Sequence, residues 1–279
     1  MRVRIEETIA KAILWIAALM TLAILVAIIT YVFSKGLPHV DLQFLLERPR
    51  KMGAKGGIFP TIVGTVYFTL VTLLIAAPIG VGAAIYLNEY TKESFLTKII
   101  RTGTDALAGI PSIIFGLFGF AFFVVLLEPI TNGWSILSGS LTAACMILPT
   151  IIRTSEEALK TVPSSFREGS LALGATKWQT ISKVILPSAI PGIITGIILG
   201  IGRVVGETAA LILTLGGSLQ IPVSIFDGTR TMSMHLYSVA MEVGSFDKAF
   251  ATATVLILTI FIINLIANRI MNRFIAKLS

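Results

Sequence analysis

The tightest constraint on this chain is a series of apolar runs, each about as long as a bilayer is thick. Crossing roughly 30 Å of hydrocarbon takes about 20 apolar residues in helix, the conformation that satisfies each backbone polar group within its own segment. Residues 12–33 form such a run, free of charge and preceded by Arg2, Arg4 and Lys11. It is longer than a signal-peptide core, and no small-residue cleavage site precedes a mature domain, so it reads as a retained first span. The second span is read over residues 61–87, with a kink expected at Pro78. The third covers 107–127 and the fourth 136–152, joined by a short turn over 128–135. The fifth covers 190–215 and the sixth 250–267. The expectation is an all-α membrane protein with six transmembrane helices.

Composition agrees. The 279 residues are 55% hydrophobic and 13% charged, against roughly 25% charged in a soluble domain. The single cysteine, Cys145, excludes a disulfide framework. His39 and His235 lie far apart in polar stretches without nearby Cys or a third ligand, so no metal site is expected and both read as surface histidines. A net charge of +7 is explained by basic residues bordering membrane spans, without nucleic acid.

Those basic residues also set orientation. With six spans, both termini share a side with the loops around Lys92 and Lys160. That side holds fourteen of the 22 Lys and Arg residues, the other seven, and Arg203 lies inside a span. The imbalance places both termini in the cytoplasm. The first outer loop dissents, with Lys35, Arg48, Arg50, Lys51 and Lys55; headgroup contact is the plain explanation, and a basic vestibule for an anion the sharper one.

The largest cytoplasmic segment, 153–188, is read as two short amphipathic helices. One carries Phe166, Leu171 and Leu173, the other Trp178, Ile181 and Ile185. Ser165 to Glu168 and Thr176 to Gln179 each have capping-box spacing, Gly174 sits where a positive φ can end the first helix, and Pro187 marks the start of the fifth span. Charged residues among small ones (Glu168, Lys177, Lys183) suit insertion into a protein groove better than flotation at a lipid interface.

Within this segment, Glu168-Gly169-Ser170, Gly174 and Val184-Ile185-Leu186-Pro187 resemble the EAA motif of ABC-importer permeases. Glu168, Gly174, Leu186 and Pro187 match in identity and spacing, while Gly169 and Ser170 replace two alanines and Val184 an isoleucine. The resemblance implies a type I ABC importer permease fold and a loop that docks on a separate nucleotide-binding subunit, with Glu168, Gly169, Ser170, Gly174, Ala175, Leu186 and Pro187 as the coupling residues. Moving a two-state transporter from 1:99 to 99:1 takes about 5.5 kcal/mol, and this chain has no phosphate loop to draw it from ATP. The nearest approach, 169–176, has Ala175 in place of the lysine and follows no strand. No catalytic residue or cofactor is therefore expected in this chain; ATP and Mg²⁺ would be bound by the partner ATPase.

Arg203 and Glu207 lie near the middle of the fifth span, where each charge would cost about 2.5–3.5 kcal/mol on insertion scales. Their i, i+4 spacing predicts a paired couple on one helical face, alongside the small-residue repeats Gly192-Gly196-Gly200 and Gly202-Gly206. The pair reads either as a static lock between helices or as part of an anion pathway.

Further stretches are similar to the phosphate-importer permeases of the PstA type. They are Gly56-Gly57-Ile58-Phe59-Pro60, Ile62-Val63-Gly64-Thr65, residues 107–116 and the run Gly202 through Ala210. The resemblance extends from about Gly36 to the sixth helix. It implies a bacterial inner-membrane subunit pairing with a PstC-type permease, two copies of a PstB-type ATPase and an extracytoplasmic phosphate-binding protein. A sulfate or molybdate permease, or the PstC-type partner itself, would share much of the pattern. On this reading residues 1–60 hold the first helix and outer loop, and 61–279 the transport core. An intramembrane enzyme is disfavoured, since neither Gly-x-Ser-x-Gly nor His-Glu-x-x-His occurs. The outer segment 216–244 reads as an ordered connection, with a short helix that plugs the pathway or contacts the binding protein as the alternatives.

Overall fold

The computed structural model describes residues 2–91 and 94–278. Lys92, which the charge count assigned to the cytoplasm, lies outside them. Helix α1 (Arg2–Gly36) leads through a short α2 (Leu42–Leu46) and a two-residue hairpin, β1 (Pro49–Arg50) with β2 (Lys55–Gly56), into α3 (Phe59–Ile85). A π-helical turn, Tyr86–Tyr90, prolongs α3. There follow α4 (Phe95–Ala108), α5 (Ser112–Gly119) with the π-helical stretch Phe120–Leu126, α6 (Glu128–Thr131) and α7 (Ile136–Lys160). The chain continues through α8 (Ser164–Ala172), α9 (Lys177–Thr180), a π-helical segment Ile181–Ile185, α10 (Leu186–Gly206), α11 (Ala209–Thr214), α12 (Met232–Met241) and α13 (Phe246–Leu278). Side-chain oxygens of Asp41, Ser94, Ser135 and Thr231 cap α2, α4, α7 and α12, each accepting from an amide three residues on.

Among the described residues five helices are long and apolar enough to cross a membrane, and a sixth crossing is available as a bent pair. The third span is where expectation and structure part. Residues 107–127 do not form one straight helix, because α4 stops at Ala108 and α5 resumes at Ser112 after a turn of 103°. Pro111 explains the elbow. It has no amide to continue the ladder and takes an extended ψ of 139°, so α4 departs at a steep angle with Phe95, Ile99, Ile100 and Leu107 on its exposed side.

The other boundaries shift for identifiable reasons. α3 runs on through Pro78 without interruption. α7 continues past residue 152 to Lys160, so the start of the expected loop is helical. Its polar extension is held by charge: Glu156, almost fully buried, lies 2.7 Å from Arg101 Nη2 and 3.0 Å from Lys160 Nζ, and Arg153 pairs with Asp105 at 2.9 Å.

Three buried clusters stack along the molecule. One joins Phe44, Ile58, Met232, Ala251 and Val255. The central one includes Phe68, Phe115, Met146, Ile147, Ile151, Val204 and Leu211. The third gathers Ala84, Leu159, Val162, Ile181, Ile185 and Ile193 beneath the EAA-like loop. Helix α1 stands apart from them: its apolar side chains are exposed along its length, and it meets α13 near its end, where Tyr31 packs edge-on against Phe250.

The segment 216–244 contains α12. His235 of this helix is not a surface histidine. It is 1% exposed, because α12 packs against α3 and α13 while Gly53 closes over the imidazole. His39 is exposed, as the sequence suggested.

Candidate coupling loop and translocation site

The candidate coupling loop is built by local rules. Pro163, with ψ of 141°, starts α8 one residue ahead of Ser165, and no side chain caps it. The capping box expected at Ser165 and Glu168 is therefore absent: Ser165 already lies within the first turn. The second box is present. Gln179 N donates to Thr176 Oγ1 at 3.3 Å, and Thr176 N donates to Gln179 Oε1 at 2.8 Å. Between the two helices Gly174 takes φ +83°, ending α8 in the left-handed conformation that an L side chain enters at a cost.

The EAA-like residues occupy distinct environments. Glu168 and Gly169 are exposed, and nothing lies within 4 Å of a β-carbon at 169. Ser170, in the place of the second alanine, meets the Thr180 hydroxyl at 2.9 Å and so ties α8 to α9. Ala175, Leu186 and Pro187 are half-buried. Pro187 does not begin a new helix: Lys177–Gly206 is one continuous run, with the π-helical segment Ile181–Ile185 just ahead of the proline, where widened winding absorbs its missing amide.

The apolar residues of the loop divide by depth. Ile181 and Ile185 are each 1% exposed and root the second helix in the third cluster, with Ala84, Leu159 and Val162. Phe166, Leu171, Leu173 and Trp178 stay outside, Leu173 at 91%. The loop is therefore not two short helices: the short α8 and the first turns of the long helix Lys177–Gly206 present the apolar surface.

The brace was not legible in the sequence. Arg167, next to Glu168 of the EAA-like motif, grips Glu89 at the end of α3: Nη2 donates to Oε1 at 2.7 Å, and Nε donates to Oε1 at 3.2 Å and Oε2 at 3.4 Å. Its remaining donors reach the carbonyls of Leu159 (3.0 Å) and Val162 (2.8 Å) at the end of α7. Lys177 Nζ sits 4.9 Å from the centre of the Tyr90 ring, a second tie between the loop and α3.

Arg203 and Glu207 do not form the expected pair. α10 ends at Gly206, and Glu207 turns into extended conformation with ψ of 135°, so the i, i+4 geometry is lost. Among the described residues no ion pair joins them. The buried Glu207 instead holds the helix break: its Oε1 accepts from Ala210 N at 3.0 Å, and its backbone oxygen accepts from Ser233 Oγ at 2.5 Å. The expected fifth span over 190–215 is accordingly two helices, α10 and α11. Arg203 is half-buried, and Gly202 and Gly206 beside it have open space where a β-carbon would stand. Gly192 and Gly196 instead lie tightly against Ala158 and Thr154 of α7, the close helix approach that small-residue spacing predicts.

The motifs near the second span have structural explanations. A β-carbon at Gly64 would collide with the Thr229 hydroxyl, and Thr65 Oγ1 accepts from Met232 N at 2.9 Å. Gly116 in the third span lies against the backbone of Ala210. These stretches fasten the membrane core to the outer segment and to α11.

Comparison with known proteins agrees with this anatomy. Residues 76–279 match the family described as "Binding-protein-dependent transport system inner membrane component". The chain is 34% identical to the probable ABC transporter permease protein YqgI of Bacillus subtilis, covering 95% of this chain and 94% of that protein. It is 33% identical to the phosphate transport system permease protein PstA of Xylella fastidiosa (94% and 90% covered). Against PstA of Pasteurella multocida it is 32% identical (84% and 83%). Among solved structures, a bacterial alginate ABC transporter in complex with a pentasaccharide-bound periplasmic protein superposes with TM-score 0.67 at 15% identity, covering 94% of this chain and 95% of that one. The MetNI methionine ABC transporter gives 0.60 at 19% identity, with 78% and 94% covered. At such identities the structures speak for the fold, which is that of a type I ABC importer permease. The chain belongs to the family of binding-protein-dependent transport system inner membrane components, as an ABC transporter permease of the PstA type.

Proposed function

We propose that this chain is the permease subunit of an ATP-driven importer of inorganic phosphate, supplying half of the translocation pathway. The observation that carries the reading is the similarity to phosphate permeases along nearly the full chain, 33% over 94% of it in one case. Arg203 supports it chemically: a guanidinium offers forked donors that match tetrahedral oxyanions, and it stands beside the open positions Gly202 and Gly206. A second permease of the PstC type would line the opposite half, and an extracytoplasmic phosphate-binding protein would deliver the anion. ATP and Mg²⁺ would be bound by two copies of a PstB-type ATPase, docked at Phe166, Leu171, Leu173 and Trp178. Both termini lie in the cytoplasm on this reading, because the docking loop must.

Deleting the chain from its host should abolish high-affinity uptake of labelled phosphate. Re-expression should restore it, and the Arg203→Gln form should not. Intact phosphate uptake with lost sulfate or molybdate uptake would overturn the substrate.

A further inference from the structure

Helix α3 touches both ends of the machine. At its cytoplasmic end Glu89, whose side chain is 8% exposed, accepts three contacts from the Arg167 guanidinium on the coupling loop. Tyr90 beside it receives Lys177 of α9. At the outer end Thr65 Oγ1 accepts from Met232 N, the first residue of α12, and Gly64 admits the Thr229 side chain. Thr65 to Glu89 is 24 residues of helix, a rod of about 36 Å at 1.5 Å per residue. Along it the buried hydroxyls of Thr65, Thr69 and Thr72 are each satisfied by a carbonyl four residues back.

We propose that Glu89 and Arg167 are positioning residues for energy coupling, bracing the docking loop on α3 so that a load on α8 moves the outer segment through Thr65 and Met232. This rests on the reading of the chain as an ATP-driven importer but not on the identity of its substrate. The continuous helix Lys177–Gly206 gives a second path, meeting α12 where Ser233 donates to the Glu207 carbonyl, and α7 a third, where Ile136 N donates to the Asp227 carbonyl; α3 is the path that the loop grips through a buried charge pair. The buried, forked geometry suits the task. A guanidinium held on three sides by Glu89 and by the carbonyls of Leu159 and Val162 resists both push and pull, and loss of one partner strands the other in a desolvated site.

The test uses the full complex in liposomes, with spin labels at V223C and F246C (87% and 61% exposed at the outer side) in a Cys145→Ser background. The distance between them is measured without nucleotide and after trapping with ATP and vanadate. The wild type should change distance on trapping. Glu89→Gln should abolish the change and lower uptake per ATP hydrolysed by about tenfold, while the ATPase still co-purifies. Glu89→Asp, which keeps the charge, should recover most of both. An unchanged distance in the wild type, a full response in Glu89→Gln, or equal loss of the bound ATPase in both variants would overturn the proposal. Phosphate uptake by the same wild-type liposomes reports separately on the substrate.

Discussion

Gly196 of α10 lies so close to the Thr154 hydroxyl of α7 that no β-carbon fits between them. A few residues further on, at Gly202 and Gly206, the same helix faces open space. One helix therefore carries a packing face and a free face, and substitutions on the two should fail differently.

Gly196→Val should prise α10 from α7, costing about 1–3 kcal/mol by overpacking and lowering the yield of folded complex. Gly202→Val should leave folding and assembly near wild type while transport falls, since its side chain enters the open space beside Arg203. Size-exclusion profiles and uptake, measured in parallel, separate the two outcomes.

The turn that ends α8 depends on a backbone conformation. Gly174→Ala forces φ +83° on a residue with a β-carbon, at a cost of roughly 1–2 kcal/mol, and should weaken retention of the ATPase. Gly169→Ala is its counterpart: the position is helical with free space around it. Alanine should stabilise α8 by about 0.5–1 kcal/mol. ATPase retention on an affinity column should fall with the first substitution and hold or rise with the second.

Glu207 offers a test of its role as a fastener at the helix break. Glu207→Gln keeps an oxygen for the Ala210 amide and should preserve assembly. Glu207→Ala leaves that amide without its partner and should cost about 1–3 kcal/mol, read as a lowered thermal midpoint of the purified complex. Equal midpoints for the two variants would contradict the fastening role.

His235 makes the outer segment sensitive to acid. Burial, and next to it the Arg230 guanidinium, push its imidazole down to about 4, against about 6.5 in the unfolded chain. The unfolded state therefore binds more protons between those values, so stability is complete above about pH 6.5 and is lost as pH falls toward 4. The loss approaches about 3 kcal/mol over that window. Unfolding in detergent at pH 7 and pH 5 should show it, and His235→Gln should flatten the slope.

How much of this was legible in the sequence follows from distance along the chain. The capping box at Thr176 and Gln179 and the turn at Gly174 are set by neighbours and were readable. The elbow at Pro111 and the break at Glu207 were not, because apolar composition runs through both points, and hydropathy measures solvent preference but not direction. Arg203 and Glu207 looked paired because straight-helix spacing was assumed; one extended residue undid it. The burial of His235 depends on a glycine and two helices that arrive from elsewhere in the chain. The Arg167 brace has no local signal, because Glu89 lies 78 residues away.

The most direct measurement is anion uptake by liposomes holding the complete complex, with ATP inside and loaded binding protein outside. The account predicts ATP-dependent accumulation of labelled phosphate that excess unlabelled phosphate suppresses and excess sulfate or molybdate does not. Accumulation of sulfate or molybdate with phosphate left outside would contradict it.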